Sequence, residues 1–418
     1  MNSVFARPAF SGYGIELEYM IVDRQSLSIK PVSDELFHSV VGSYASDVPR
    51  GKLAWSNELV LHVVEIKNIN PDPVLDPLAA AFHMEANTIN QQLESLGACL
   101  MPTAMHPWMN PVTETHLWPH QYKEIYQAYD RIFGCNGHGW ANLQSMHLNL
   151  PFANDDEFAR LHAAIRLMLP IIPALAASSP IAEGRLTSFM DYRMKVYLTH
   201  EIKVPSLLGE IIPDTAISKS QYHDSVLSKM YRDIAPFDPE GVLRHEWLNS
   251  RGAIPRFDRN AIEIRVIDMQ ECPQADLAIA AAITNGVKRF YDAEVVPLAI
   301  QQNFKIGSLA QILLACIRDG EQAVIDDAEY LSLFGFPGEQ CEAGELWVHL
   351  IEPMLSSAPD QRQTFMAPLS IIMKQGTLAR RILRSIGKDG SVVRLHEVYL
   401  ELCECLEKGK MYQAANVR

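Results

Sequence analysis

Two glutamates at alternate positions of one strand are the first residues of this sequence that could do chemistry. Residues 14–23 read GIELEYMIVD, a pattern typical of a β-strand. Successive side chains of a strand point to opposite faces, so Glu16 and Glu18 share one face while Ile15 and Leu17 face a core. Neighbouring carboxylates repel each other, and a divalent cation with oxygen ligands relieves that repulsion. A solvated acidic face is the alternative interpretation of this strand.

A second predicted strand, residues 55–67, is rich in β-branched residues and also carries acids. Glu58 and Glu65 lie at positions of opposite parity, so on one straight strand their side chains would face opposite ways. Both reach one site only if Glu58 lies in a turn before the strand or if a bulge intervenes. Under either condition both acids are candidates for the site of Glu16 and Glu18.

Two further predicted strands each place polar side chains on one face and apolar side chains on the other: residues 144–150 with Ser145, His147 and Asn149, and residues 261–268 with Glu263 and Arg265. Together the four strands predict an antiparallel sheet with five carboxylates, an imidazole and a guanidinium on one face. A single histidine is more often structural than a metal ligand, and it is the recurrence of acids across strands that favours a ligand role here.

The ligand types indicate which ion would bind. Mostly carboxylate ligands with one histidine favour Mg²⁺ or Mn²⁺ over zinc. Several acids around such ions suit phosphoryl transfer from ATP, because the ions screen the triphosphate and the charge that develops in the transition state. The sequence contains no GxxxxGK[ST] loop and no dinucleotide-binding glycine pattern, so it does not support a P-loop or a Rossmann site.

The composition excludes some classes of partner. The formal net charge is −14 and no cluster of Lys and Arg stands out, which argues against binding to nucleic acid or an anionic membrane. Residues 1–11 lack the features of a signal peptide, and the most apolar stretch, residues 168–180, is interrupted by prolines and too short to span a bilayer. Seven scattered cysteines have no zinc or disulfide spacing, so we expect reduced thiols and a cytoplasmic protein.

The length allows one large catalytic domain with an accessory part. We expect residues 1–292 to form the catalytic antiparallel-sheet domain, because all four polar strands lie there. Beyond this point the pattern is helical, so residues 293–418 predict a helical C-terminal part packed on the sheet, with a soft boundary.

The strands GIELEYMIVD, NELVLHVVEIKN, SMHLNL and NAIEIRVID, in this order and at these separations, resemble the glutamate–cysteine ligase family, including its carboxylate–amine ligase branch. The neighbourhoods of Ser178-Ser179-Pro180 and Asp191-Tyr192-Arg193 also resemble that family. The resemblance implies an α+β, glutamine-synthetase-like fold, in which a curved antiparallel sheet forms an active-site funnel flanked by helices. It also implies an ATP-dependent reaction: a carboxylate, such as the γ-carboxylate of glutamate, becomes an acyl phosphate, and an amine displaces the phosphate to give an amide.

The resemblance also assigns residues to roles. Metal ligands are expected at Glu16, Glu18, Glu58, Glu65, His147 and Glu263. Arg265 is expected to contact the transferred phosphoryl group, with Glu263 beside it in the catalytic centre. A permanently charged guanidinium suits a phosphate whose oxygens gain negative charge. Asn149 and Arg193 are expected to contact nucleotide or substrate.

One departure from the family pattern lies in the third strand. The carboxylate–amine ligase branch shows His-x-His there, whereas this sequence has His147-x-Asn149, followed by Leu150 in place of glycine. The departure leaves substrate identity open. Two other functions also stay open: a metal-dependent hydrolase that uses the same acids to activate water, and a catalytically silent metabolite- or metal-binding protein. The expected partners are a small glutamate-like carboxylate and an amine, and an exposed sheet edge makes a homodimer reasonable.

Overall fold

The structure is a computed structural model that describes residues 6–356, 363–387 and 390–414. Its strands are β1 (Gly14–Asp23), β2 (Asp47–Arg50), β3 (Leu53–Asn57), β4 (Val63–Asn68), β5 (Ala98–Met101), β6 (Ser145–Pro151), β7 (Ile181–Ala182), β8 (Arg185–Leu186), β9 (Ala253–Arg256), β10 (Ala261–Asp268), β11 (Val324–Ile325) and β12 (Cys341–Glu342).

The α-helices are α1 (Ser33–Val41), α2 (Asp76–Leu93), α3 (Pro111–Glu114), α4 (Lys123–Phe133), α5 (His138–Ala141), α6 (Asp155–Met168), α7 (Pro173–Ala176), α8 (Tyr192–Tyr197), α9 (Lys219–Tyr222), α10 (Ser228–Ile234), α11 (Pro273–Tyr291), α12 (Leu298–Asn303), α13 (Ile306–Asp319), α14 (Ala328–Leu333), α15 (Ala343–Ser356), α16 (Gln363–Gln375), α17 (Leu378–Ile386) and α18 (Val392–Lys408). A π-helical turn, His223–Leu227, joins α9 to α10.

The central element is an eight-stranded antiparallel sheet in the order β2-β3-β4-β1-β6-β10-β9. The eighth strand, β5, pairs with the second half of β1, on the side where β6 pairs with the first half. The predicted antiparallel sheet with flanking helices and a helical C-terminal part is therefore confirmed. Strands β2 and β9 form the two edges of the sheet, and the homodimer expected from an exposed edge stays a prediction.

Side-chain alternation divides β1 as its sequence predicts. Ile15, Leu17 and Tyr19 are fully buried in the main hydrophobic core, together with apolar side chains of α2, α6 and α11. Met20 and Val22 lie on the opposite face of β1, the same face as Glu16 and Glu18. They pack in a second apolar cluster with α17 and α18. One face of β1 is thus polar in its first half and apolar in its second.

The helical C-terminal part contacts the sheet domain through apolar packing and hydrogen bonds. The main core includes residues from both parts. The indole of Trp347 donates to the carbonyl of Ile171 over 2.7 Å, and the hydroxyl of Tyr330 donates to the carbonyl of Leu167 over 2.7 Å. The division into residues 1–292 and 293–418 stays a prediction, and both ends of the chain extend beyond the described residues.

The prediction of one strand over residues 55–67 was wrong. The segment forms β3 and β4, and Glu58 lies in the connection between them, which is the turn position that its parity required. Strands β2, β5 and β9 were not predicted. The edge strands β2 and β9 contain Pro49 and Pro255, which argue against a strand in sequence but are tolerated at a sheet edge.

Two sequence expectations concern the whole chain. The described residues contain no helix long and apolar enough to cross a membrane. All seven cysteines are free thiols, and five of them are buried, as expected from their scattered positions.

Candidate active site

The strand register brings the predicted polar residues to one face of four adjacent strands, β4, β1, β6 and β10. Glu18 pairs with Glu65 across β1 and β4, and Glu16 pairs with His147 across β1 and β6. Asn149 pairs with Glu263 across β6 and β10. Because side chains directly opposite each other on antiparallel strands lie on the same face, the register alone assembles the cluster.

His147 lies at the centre of this cluster. Its Nδ1 is 2.9 Å from Glu16 Oε2 and 3.9 Å from Glu263 Oε1, and its Nε2 is 2.9 Å from Ser145 Oγ. Burial lowers the pKa of His147, but the hydrogen bond with Glu16 and the charges of Glu18 and Glu263 outweigh burial and raise it. The imidazole therefore connects carboxylates from two strands.

Glu16 is the most strongly stabilised anion of the cluster. Burial alone would raise the pKa of this carboxyl, but its hydrogen bond with His147 and the charges of Arg259 and Lys67 outweigh burial and lower the pKa to about 2. Arg259 Nη1 lies 3.8 Å from Glu16 Oε1, and Asn149 donates to the same oxygen over 3.2 Å. Glu16 is therefore ionised at neutral pH.

Neighbouring donors orient the two acids that pair across β1 and β4. Glu18 accepts hydrogen bonds from the backbone N–H of Ser145 over 2.6 Å and from its hydroxyl over 3.1 Å. Glu65 accepts from the hydroxyl of Ser56 over 2.5 Å and lies 3.2 Å from Lys67 Nζ. Both carboxylates are held in place before any ligand arrives.

Two acids of the cluster are destabilised in their charged forms. Burial raises the pKa of Glu58 well above its usual range, and the charges of Glu18 and Glu65 raise it further. Burial and the charge of Glu16 raise the pKa of Glu65 to about 7, although Lys67 and Ser56 oppose that shift. Buried acids with raised pKa values favour the binding of a cation.

The geometry divides the acids into two sets that could each hold a metal ion. Ligand atoms lie within 4.8 Å of one another in the set Glu16, Glu65 and His147 and in the set Glu18, Glu58 and Glu65. Glu65 is common to both sets. Oxygen donors with one imidazole fit Mg²⁺ or Mn²⁺, so the residues present suit the ion that the sequence predicts. That these residues are metal ligands stays a prediction.

Glu263, the sixth predicted ligand, lies outside both sets. Its Oε1 is 2.9 Å from Arg265 Nε, and its Oε2 accepts from Arg256 Nη1 over 3.2 Å. Two guanidinium groups therefore neutralise this carboxylate, although it remains 3.9 Å from His147. In this structure Glu263 orients Arg265 towards the cluster.

The three predicted nucleotide or substrate contacts do not converge on one place. Arg193 is buried, with its Nε 2.5 Å from Asp268 Oδ1, and its Nη2 has no partner among the described residues. Arg193 and Arg265 line one cavity, whereas Asn149 lines another. The amide oxygen of Asn149 is also buried without a described partner.

Two cavities flank the acidic cluster. The larger has a volume of about 720 Å³ and is lined by polar and charged residues that include Glu16, Lys67, Asn149 and Arg259. The smaller has a volume of about 270 Å³, and acids, arginines and aromatic rings line it, among them Glu18, Glu58, Arg193, Arg265, Tyr129, Trp140 and Trp247. A ligand in either cavity would contact one end of the cluster.

Sequence reasoning missed Glu201, which also lines the smaller cavity. This residue lies in a turn after α8, in a segment without period-two alternation or a recognisable motif. Lys67 and Arg259 were missed as well, although Lys67 follows Glu65 at strand spacing and could have been placed on the same face.

Comparisons with known proteins agree with this fold. A sequence model described as glutamate-cysteine ligase family 2 (GCS2) matches residues 13–305, a range that contains every predicted site residue. An uncharacterized protein from Archaeoglobus fulgidus is 29% identical over 401 residues, which cover 96% of this chain and 99% of that protein. A protein from Corynebacterium glutamicum named "Putative glutamate--cysteine ligase 2" is 23% identical and covers 78% of this chain and 82% of its own length.

Solved structures with a similar fold are ligases. A glutamate–cysteine ligase from Francisella tularensis, in complex with AMP, aligns with a TM-score of 0.62 at 12% identity, over 97% of this chain and 90% of that one. A bifunctional glutathione synthetase from Pasteurella multocida aligns with a TM-score of 0.58 at 12% identity, over 96% of this chain and 52% of that one. At this identity the likeness concerns the fold alone.

Proposed function

This chain belongs to glutamate-cysteine ligase family 2, a family of ATP-dependent carboxylate–amine ligases, and we propose that it couples a glutamate-like carboxylate to an amine through an acyl phosphate. In the first step the carboxylate oxygen attacks the γ-phosphorus of ATP and ADP leaves. In the second, the amine nitrogen attacks the carbonyl carbon and inorganic phosphate leaves, so that one amide forms for each ATP cleaved.

The observation that carries this proposal is the pair of acid sets sharing Glu65 on one face of the sheet. Mg²⁺ or Mn²⁺ bound there would supply positive charge to screen the triphosphate and the transferred phosphoryl group. Glu16, Glu65 and His147 would hold one ion, and Glu18 and Glu58 with Glu65 the other. The raised pKa values of Glu58 and Glu65 support this assignment, because they reflect burial and repulsion by neighbouring glutamates, and a bound cation would offset both.

The larger cavity is the better candidate for the nucleotide. Its volume of about 720 Å³ lies within the range typical of ligand pockets. Lys67 and Arg259 supply cations there for phosphate oxygens, and the unpartnered amide oxygen of Asn149 could accept a hydrogen bond. The triphosphate would point from this cavity towards the acidic cluster.

The smaller cavity is the better candidate for the carboxylate donor. The unpartnered Nη2 of Arg193 could bind a carboxylate oxygen there. Arg265, oriented by Glu263 at 2.9 Å, would contact the phosphoryl group as it moves between the cavities. A guanidinium fixed by a carboxylate stabilises developing charge without needing to reorganise during the reaction.

The test is ADP release with Mg-ATP and glutamate, scanned across a panel of amines, with the product mass read in parallel. ADP release that depends on both substrates, with a product mass equal to condensation with loss of water, is the expected result. Turnover of a substrate without nucleotide would favour a metal-dependent hydrolase instead. Absence of ATP binding by the folded protein would favour a catalytically silent metabolite- or metal-binding protein.

A further inference from the structure

Glu201 is a buried carboxylate that the steps above do not use. Its side chain lines the smaller cavity, the residue is only 2% exposed, and its Oε2 has no hydrogen-bond partner among the described residues. The other oxygen lies 3.8 Å from His200 Nε2. An unpaired buried carboxylate oxygen costs folding free energy, so its presence in a cavity wall indicates a ligand that donates a hydrogen bond to it.

Aromatic rings line the same cavity as this carboxylate. Trp140 packs against His200 with ring centroids 4.7 Å apart and against Tyr129 at 5.1 Å. Tyr129 also contacts Trp247, with ring centroids 6.0 Å apart. A cavity lined by aromatic rings and a carboxylate suits an ammonium group, because the π faces and the carboxylate both attract positive charge.

Two permanent cations also line this cavity. Among the described lining residues, Arg193 and Arg265 carry permanent positive charge, and they pair with Asp268 and Glu263. Burial lowers the pKa of His200 to about 4, so this imidazole is neutral at pH 7. Arg265 is the permanent cation whose charge acts on Glu201.

We propose that Glu201 binds the ammonium group of the acceptor amine and takes its proton. This inference rests on the proposed ligase function. One proton passes from the ammonium to Glu201 Oε2, and the freed lone pair attacks the acyl phosphate. The C–N bond forms, the C–O bond to phosphate breaks, and phosphate leaves with the electron pair and the second proton of the nitrogen.

The surroundings of Glu201 support proton transfer. Burial raises the pKa of this carboxyl to about 8, although a hydrogen bond with Ser250 and the charge of Arg265 oppose the shift. Other titratable groups that face it are His200, Tyr129, Tyr197 and Cys135. A base whose pKa lies near the working pH is the most efficient proton acceptor.

The test compares two nucleophiles in Glu201→Gln. Cysteamine is protonated at neutral pH and needs a base, whereas hydroxylamine is largely neutral and does not. With Mg-ATP and glutamate, we expect the variant to lose about a hundredfold in cysteamine amide formation while hydroxamate formation changes less than about threefold. Asp276→Asn is the matched control, because Asp276 is another buried carboxylate with an unpartnered oxygen, distant from the cavity, and both reactions should persist.

Each outcome bears on a different claim. Equal activity of Glu201→Gln and wild type towards cysteamine would overturn the role of Glu201 and leave the ligase function intact. Equal loss of both reactions in a folded variant would also overturn it, because a structural or donor-binding role predicts that result. Wild-type protein that forms neither product would reject the proposed function itself. If Glu201→Gln does not fold, Glu201→Asp replaces it, with the same ratio of the two products as the readout.

Discussion

The two cavities beside the acidic cluster are built from different parts of the chain. The larger one takes its charged and amide groups chiefly from strand positions, such as Glu16, Lys67 and Asn149. The smaller one takes much of its wall from helices and turns, among them Tyr129 and Glu201. This difference suggests that the strand-built side serves the reaction common to the family and the loop-built side determines which substrate reacts. We make five predictions about the acidic cluster and its two cavities, from the largest expected effect to the smallest.

Replacing the acid common to both metal-ligand sets should abolish the reaction. In Glu65→Gln we expect ADP release to fall by at least about 10³-fold, because each of the two sets loses a charged oxygen ligand. The measurement is the initial rate at saturating ATP, glutamate and amine. Glu85→Gln is the control, since Glu85 binds Arg50 and Trp55 away from both cavities and its loss should leave the rate near wild type. A Glu65→Gln enzyme as active as this control would contradict the assignment.

Arg265 should contribute to the rate of the chemical step. In Arg265→Ala we expect kcat to fall by about 10²-fold with a smaller change in the KM for ATP, because the guanidinium would act mainly in the transition state. Arg256→Ala makes a matched comparison: Arg256 also binds Glu263, but it does not line the smaller cavity. We expect the kcat of Arg256→Ala to fall by less than about tenfold. Equal losses in both variants would mean that Arg265 acts only by neutralising Glu263.

Metal affinity should rise with pH. In the metal-free protein the pKa of Glu65 is raised to about 7 and that of Glu58 is also raised, so a metal ion must displace protons from them at low pH. We expect Mn²⁺ affinity to increase by about tenfold from pH 6 to pH 8, measured by titration calorimetry.

The stability of the metal-free protein, in contrast, should fall as the pH rises. A pKa that is higher in the folded than in the unfolded state adds stability below the unfolded value, and this contribution is lost as the pH rises through about 7. The melting temperature of the metal-free protein should therefore fall over this range, and Mn²⁺ should restore it. An affinity that is flat or falls with pH would contradict the raised pKa of Glu65.

Two substitutions should show whether the two cavities bind different substrates. Arg259 lines the larger cavity, so Arg259→Ala should raise the KM for ATP roughly fivefold and leave the KM for the amine unchanged. Trp247 lines the smaller cavity, so Trp247→Ala should raise the KM for the amine roughly fivefold and leave the KM for ATP unchanged. Steady-state kinetics with each substrate varied in turn gives both values. If either substitution changed both KM values together, the two cavities would not serve separate substrates.

Strand alternation explains how much of this site was predictable. The faces of Glu16, Glu18, His147 and Arg265 follow from the two-residue period of a strand, which needs only local sequence. The antiparallel sheet and its helical C-terminal part were predicted for the same reason, together with the resemblance to the ligase family. The edge strands were missed, because Pro49 and four-residue lengths weaken the strand pattern.

The sequence by itself thus determined which residue types face the site, because backbone geometry imposes alternation over any strand. Only the tertiary structure decided which of those residues lie close enough together to form each candidate metal-ligand set. The connection between β3 and β4 brings Glu58 to the cluster, and two arginines bind Glu263, which lies outside the two candidate metal-ligand sets. Glu201 reaches the smaller cavity through the packing of a turn, and no local periodicity specifies where a turn will lie.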